Sequence, residues 1–419
     1  MTVKKYASIF IFFIVIIAAS LASVNYIVDP YILFQTDRVV SFNDKKPAAA
    51  NRSTLYKPYN VAEIRPKTIV AGNSRPEMGI NPQSKCWSAK NGNVYNLTFP
   101  GLNTYGQIRA IFHAVSTGSV ENILLGVDFA DFLSNREQAK KNFWPKGNSD
   151  FFKRLLVDEQ NKKNNSYWLS KSKDLSTALF SLDALNDSVF TILSQSANSS
   201  NRLVSGFNPA KDYQDIIRYE GAWVLFAQKK KELQQRFNKK GLSIYGSQQW
   251  SVEFESIKRL IQLALEKNIK LTLFINPYHY TYLEAIRDAG YWGELEKFKK
   301  GLLHTVKQYG KQQVMLWDFS LYSIYTVSPE PKRNDAKLLY SWFWEPAHYK
   351  SELGELMLVN MFGQACIEDK LEAAGVKLNN IDIDMFLQNQ LVQHLFLLLK
   401  LHQSKKPFHL TIWLLLHQM

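Results

Sequence analysis

KTIVAGNS, residues 67–74, is the stretch on which the fold turns. Ile69, Val70 and Ala71 form a short apolar run that stops at Gly72-Asn73-Ser74, the pattern of a buried strand ending in a turn. Four more runs of this kind follow: NVYNLTFPG (93–101), VENILLGVDF (120–129), IKLTLFINP (269–277) and QQVMLWDFS (312–320). Between them lie amphipathic stretches of helical period, TYGQIRAIFHAVST (104–117), ESIKRLIQLALEKN (255–268) and ELEKFKKGLLHTVKQYG (294–310). Strands alternating with such helices predict an α/β fold with a mostly parallel sheet covered on both faces.

Outside this alternation the chain has three other parts. No charge occurs between Tyr6 and Val28, and IFIFFIVIIAASLA (9–22) is almost wholly apolar, long enough to cross a bilayer. Lys4 and Lys5 precede the run and Asp29 follows it, which puts the N-terminus in the cytoplasm and the body outside. A cleaved signal peptide is the competing reading, with Ser20-Leu21-Ala22 resembling a cleavage site. The run is long for a signal's apolar core, which favours an uncleaved anchor over residues 1–28. Residues 134–245 form a long insertion rich in Lys, Asn, Gln and Ser, containing AKDYQDIIRYEGAWVLFAQKKKELQQRFNKK (210–240), and predict a helical cap. It divides the α/β domain into residues 29–133 and 246–365. Residues 366–419 remain as a tail.

Composition narrows the function classes. The chain has 419 residues, 46% hydrophobic and 21% charged, with two cysteines, which excludes wholesale disorder and a disulfide-stapled mini-protein. Net charge is +14, favouring anionic partners. Export of the body demotes nucleic acid and favours anionic cell-envelope material. Cys86 and Cys366 pair in an oxidising compartment or remain buried thiols. No Cys/His set has zinc spacing and no glycine-rich phosphate loop follows a strand, so neither a metal nor a nucleotide cofactor is expected.

In open α/β sheets sites form beyond the carboxyl ends of the strands. There lie Asn73-Ser74-Arg75, Gly101-Leu102-Asn103, Asp128, Asn276-Pro277-Tyr278-His279 and Glu345-Pro346-Ala347-His348-Tyr349. Ser74 needs a base to become nucleophilic at neutral pH. His348 can take its proton, and Glu345 can orient the imidazole. Backbone N–H groups of Ser74 and Gly101 are candidate oxyanion donors. Pro346 pushes Glu345 to extended geometry, which suits a loop that delivers a histidine. Arg75 is an anion hook or a salt-bridge residue; Asp128 is a sheet-end cap, a partner of the serine loop or a substrate contact. His279 is a cleft residue or the first residue of a helix, and His113 is a satisfied core histidine. Trp342, Phe343, Trp344 and Tyr349 stack on sugar rings or lie in the core.

These strings resemble the SGNH (GDSL-type) hydrolase superfamily. More narrowly, the chain is similar to the membrane-anchored envelope branch that includes alginate acetylation proteins and the D-alanyl-transfer protein of teichoic acids. The resemblance covers roughly residues 25–363. It is carried by NYIVDPY, VAGNSRPEMGINP, NLTFPGLNTYG, ILLGVDFADF, FINPYH, LWDFSLYS and FWEPAHYKSELGELML. The family's Gly-Asp-Ser falls on Gly72-Asn73-Ser74, with Asn for Asp. Its second-block glycine falls on Gly101, and its Asp-x-x-His falls on Glu345 and His348. Its Gly-x-Asn-Asp would fall on Gly126-Val127-Asp128-Phe129, where the oxyanion asparagine is missing; Asn103 or Asn276 then has to supply that donor. The resemblance implies an SGNH-like three-layer fold and transfer or removal of an acyl group, acetyl by expectation, on an anionic envelope polysaccharide or glycolipid. It also implies an acyl-donating membrane partner. The alternative is an inactive binding or assembly protein that keeps the fold.

The tail lies beyond the resemblance. No acidic residue follows Asp384, and four of the eight histidines fall between His394 and His417. LVQHLFLLLKLH (391–402) and HLTIWLLLH (409–417) are interfacial segments, or the composition shift marks a read-out into another frame unrelated to the fold.

Overall fold

The computed structural model describes residues 3–135, 149–196, 200–239, 241–244, 251–333, 342–363, 366 and 372–403. All five runs quoted above are strands: β1 (Thr68–Gly72), β2 (Val94–Thr98), β3 (Asn122–Val127), β4 (Lys270–Ile275) and β5 (Val314–Asp318). They pair in parallel in the order β2-β1-β3-β4-β5. Every residue of β1 is buried, as expected of a parallel sheet with helices on both faces. The two-residue period sorts the side chains. Ile69, Ala71, Ile123, Leu125, Leu271 and Leu273 enter one core together with the helices Thr104–Val115, Val252–Glu266 and Trp292–Tyr309. Val70, Leu124 and Phe274 enter the other, with Leu353, Leu356 and Met357 of the helix Ser351–Phe362.

The strand order reverses between β1 and β3, so the loops after these two strands face one crevice. Two short strands, β6 (Phe343–Glu345) and β7 (His348–Tyr349), form a separate antiparallel hairpin. A further strand, β8 (Val376–Lys377), adds antiparallel to β5. That strand corrects the boundary drawn at residues 365/366. Leu378 lies in the core, and the helix Ile383–Gln403 buries Leu387 and His394, whose Nε2 bonds Glu284 at 2.9 Å. The segment up to His394 is therefore part of the fold. Two residues are too short a strand to show a period, which hid it in the sequence. HLTIWLLLH lies outside the described residues.

Cys86 and Cys366 form a disulfide, with Cα atoms 5.0 Å apart and 280 residues between them. It ties the loop after β1's helix to the chain leaving Ser351–Phe362. Closing so long a loop restricts the unfolded chain, a contribution of about 2–4 kcal/mol. Reduction, or Cys86→Ser with Cys366→Ser, is expected to lower the melting midpoint by several degrees; an unchanged melt would show that the link adds nothing.

Within the insertion, the described residues form the helices Ser149–Lys153, Tyr167–Phe180, Leu182–Leu193, Lys211–Tyr219 and Ala222–Phe237. The last two lie over the crevice: Met78, Ala210, Ile217, Ala222, Leu225 and Trp344 make one apolar cluster. Helix Val3–Val28 is long and apolar enough to cross a membrane, and no part of its most apolar window is buried.

Candidate active site

Ser74 sits where β1 turns into the short helix Ser74–Gly79. Two local features make that turn. Gly72 has φ +142°, and a Cβ there would meet Pro76 Cγ at 2.6 Å and Gly126 O at 3.0 Å, so only glycine fits. Asn73 caps the helix, its Oδ1 accepting from Arg75 N at 3.0 Å, which satisfies a donor the helix cannot. From Asn73 to Gly79 every residue but Ser74 is buried.

The Ser74 hydroxyl lies 2.7 Å from His348 Nε2, across 274 residues of chain. On the other side of the imidazole, Nδ1 is hydrogen-bonded to Glu345 Oε1. The β6–β7 hairpin makes this second link, because Glu345 and His348 are direct register partners. The extended geometry required before Pro346 is thus realised as a strand end. Glu345 Oε2 accepts from Ala347 N at 2.8 Å, and Lys229 Nζ stands 4.0 Å from Oε1. Burial alone would raise the Glu345 carboxyl; the His348 imidazole, then Lys229 and the Ala347 N–H, outweigh it and hold the group below its ordinary value. Glu345 is therefore a carboxylate at neutral pH, able to fix the tautomer that leaves Nε2 facing Ser74.

Beneath the serine is a second polar cluster. Asp128, at the end of β3, forms an ion pair with Arg75. Its carboxylate also accepts from Asn73 Nδ2 at 3.0 Å, Tyr278 OH at 3.2 Å and Ala130 N at 3.1 Å. This explains asparagine at position 73: its NH₂ donates to Asp128, whereas an aspartate there would face a like charge. Arg75 and Asp128 are only 7% and 2% exposed. They neutralise each other below the site, which corrects their assignment as substrate contacts.

Three other expectations are corrected in the same way. Asn103 is the N-cap of Thr104–Val115, accepting from Gly106 N at 3.1 Å and donating to Glu253 at 3.4 Å. Asn276 is fully buried, with Nδ2 donating to Val127 O at 3.0 Å. Both amides brace the framework, which leaves the backbone N–H groups of Ser74 and Gly101 as the candidate oxyanion donors. These two residues leave neighbouring strands at the same end, since Gly72 pairs with Thr98 in register. Tyr349 is buried against Gly79, where a Cβ would meet its ring at 1.9 Å. It belongs to the core with Phe343, not to a sugar-stacking face.

His279 caps the helix Tyr280–Asp288 and is fully buried, with Nδ1 bonded to Thr281 Oγ1 at 2.9 Å and Nε2 to Ser328 O at 3.0 Å. It is a helix residue, not a cleft residue. His113 is likewise enclosed, with Nε2 on Pro58 O at 2.7 Å and Leu156 N donating to Nδ1 at 2.9 Å. Burial pushes His279 down to about 3 and His113 down to about 4. Unfolded histidines protonate near pH 6.5, so from there downward the unfolded state binds more protons and stability falls. The slope is about 1.4 kcal/mol per pH unit for each. Asp131 and Glu253, raised by burial, oppose this trend. Replacing His113 with Gln is expected to flatten the loss between pH 6.5 and 4.5, read as melting midpoint against pH; equal slopes would show that His113 is not the proton-linked group.

Three site neighbours carried no signal in the sequence. Lys229 and Tyr213 come from the insertion; the Tyr213 ring stands edge-on to His348 with centroids 6.0 Å apart. Glu77, on the serine's own helix, forms a wholly buried ion pair with Lys57 at 3.0 Å. Among the described residues, no group of three or more His, Cys, Asp and Glu is placed to hold a metal ion. No protein-family model and no curated protein matches the chain.

Proposed function

We propose that the protein is a serine-dependent acyl-transfer enzyme of the SGNH (GDSL-type) kind, anchored in the cytoplasmic membrane with its N-terminus inside and its catalytic domain outside. Its substrate is an acyl group, acetyl above all, on an anionic envelope polysaccharide or glycolipid. One observation carries the reading: the Ser74–His348–Glu345 relay, with the hydroxyl 2.7 Å from Nε2 and the carboxylate on Nδ1. The disulfide agrees with an oxidising compartment.

In this reading Ser74 Oγ attacks the acyl carbonyl while His348 Nε2 takes the hydroxyl proton. The Ser74 and Gly101 N–H groups receive the oxyanion. Collapse expels the alcohol, which leaves with the proton held by His348, and the acyl group stays on Ser74. A second alcohol or water then gives its proton to His348 and takes the acyl group, and His348 returns that proton to the departing Ser74 Oγ. Glu345 stabilises the imidazolium formed in both halves. A membrane partner that donates the acyl group is part of the proposal, since acyl carriers remain in the cytoplasm.

A second reading, a non-catalytic binding or assembly protein, is favoured by the engagement of Asn103 and Asn276 as framework amides. The two are separated with full-length protein in detergent, an acetyl ester and a fluorophosphonate probe. Turnover above buffer and labelling of Ser74 support the enzyme; neither in the wild type leaves the binding protein.

A further inference from the structure

Helix Val3–Val28 does not leave the body as a free tether. Its C-terminal half packs on the helical hairpin Tyr167–Phe180 and Leu182–Leu193. Asn25, an amide in an otherwise apolar segment, is fully buried there. Its Nδ2 donates to Leu179 O at 2.9 Å, and its Oδ1 accepts from Ser188 Oγ at 2.8 Å. Ala18, Leu21, Ala22, Asn25 and Val28 are the positions of this stretch that lose exposure, at the spacing of one helical face. That face runs about 15 Å along the axis.

The same hairpin turns apolar side chains outward. Phe180 and Leu182 at its turn are 53% and 74% exposed, and Val189, Phe190 and Leu193 are 45%, 49% and 79% exposed. Leu182, Val189, Phe190 and Leu193 recur at seven, eight and eleven residues, one stripe of the second helix. In the stretch of Val3–Val28 that packs on this hairpin, Tyr26 and Ile27 are themselves uncovered, 51% and 54% exposed. Lys173, Asp183 and Asn186 of the hairpin are exposed as well, which sets the depth at the headgroup boundary rather than the bilayer centre.

We propose that the hairpin Tyr167–Leu193 is embedded in the leaflet next to the catalytic domain, with anchor and hairpin forming one rigid foot in lipid. The occupant of the stripe is lipid, because the stripe continues the surface of a helix that itself crosses the bilayer; the inference rests on that crossing. A rigid foot fixes the height of Ser74 over the membrane, which suits chemistry on a membrane-borne acyl donor or glycolipid.

Both cysteines of the chain are tied in the disulfide, so a single introduced cysteine accepts a nitroxide without a competing thiol. Full-length Phe190→Cys, Leu193→Cys, Ile14→Cys and Tyr219→Cys are placed in nanodiscs of phosphatidylethanolamine and phosphatidylglycerol. Power saturation then compares collision with oxygen and with a water-soluble nickel chelate. Labels at 190 and 193 are expected to favour oxygen several-fold, as at 14, while the label at 219 favours nickel. Oxygen preference at 14 with nickel preference at 190 and 193 overturns the hairpin alone. Low collision with both reagents at 190 and 193 overturns lipid in favour of a protein cover. Nickel preference at 14 removes the anchor and this inference together, and leaves the serine site untouched.

Discussion

Ser74→Ala is expected to lower kcat on an acetyl ester by roughly 10⁴–10⁶-fold. In the proposed mechanism the serine has no substitute, because its Oγ is the oxygen that faces His348 Nε2. His348→Ala should cost about as much, and the double variant no more than either alone, since base and nucleophile act in one step. Glu345→Gln should cost less, roughly 10²–10⁴-fold: the imidazole keeps its place but loses the charge that selects its tautomer. The acyl-enzyme supplies an independent measurement, a mass increase on wild-type Ser74 that is missing in the variant. Equal turnover by wild type and Ser74→Ala would remove the serine mechanism, whatever the geometry. A Glu345→Gln loss equal to that of Ser74→Ala would instead show that the carboxylate does more than orient.

Glu77→Ala is expected to be the most damaging substitution for stability near the site. Lys57 and Glu77 have side chains 0% and 1% exposed. Lys57 Nζ also donates to Thr98 O at 2.8 Å, and Asn208 Nδ2 donates to Glu77 Oε2 at 3.4 Å. Burial pulls the Lys57 ammonium below its ordinary value, against the pull of Glu77. Removing Glu77 leaves a buried cation with no counter-charge, a loss of about 3–5 kcal/mol. Replacing both partners, Lys57→Met with Glu77→Leu, should recover most of it, because the desolvation penalty leaves with the charges. Thermal melts of the wild type, Lys57→Met, Glu77→Leu and their double variant close a double-mutant cycle. A single variant that melts with the wild type would show that the pair is solvated. Since Glu77 follows Ser74 by three residues on one short helix, slower fluorophosphonate labelling should accompany the loss.

Legibility differed by kind of feature. The five strands were readable because each is a compact apolar run, and a parallel sheet with both faces covered asks for nothing else. The serine turn was readable because Gly72 and Asn73 announce it. Glu345 and His348 were readable as a pair, although their geometry, register partners across a two-strand hairpin, was not. For Arg75, Asp128 and His279 the structural alternatives (salt bridge, serine-loop partner, helix start) are the ones realised, whereas Asn103, Asn276 and Tyr349 turn to the framework and not to the crevice. Each has a partner, such as Asp128 for Arg75 or Val127 O for Asn276, that the sequence does not name. Lys229, Tyr213 and the Lys57–Glu77 pair left no local trace at all.

The sequence by itself determined the layer architecture, the apolar N-terminal helix and the Gly72-Asn73-Ser74 turn after β1, since these follow from short-range period, length and backbone preference. Only the tertiary structure decided that Ser74 meets His348 across 274 residues, that Cys86 meets Cys366, and that the hairpin Tyr167–Leu193 packs on the helix Val3–Val28 rather than over the cleft. The physical reason is the same in each case. Local patterns fix which face of an element seeks the core, but a hydrogen bond or ion pair depends on which distant group the packing brings to within about 3 Å.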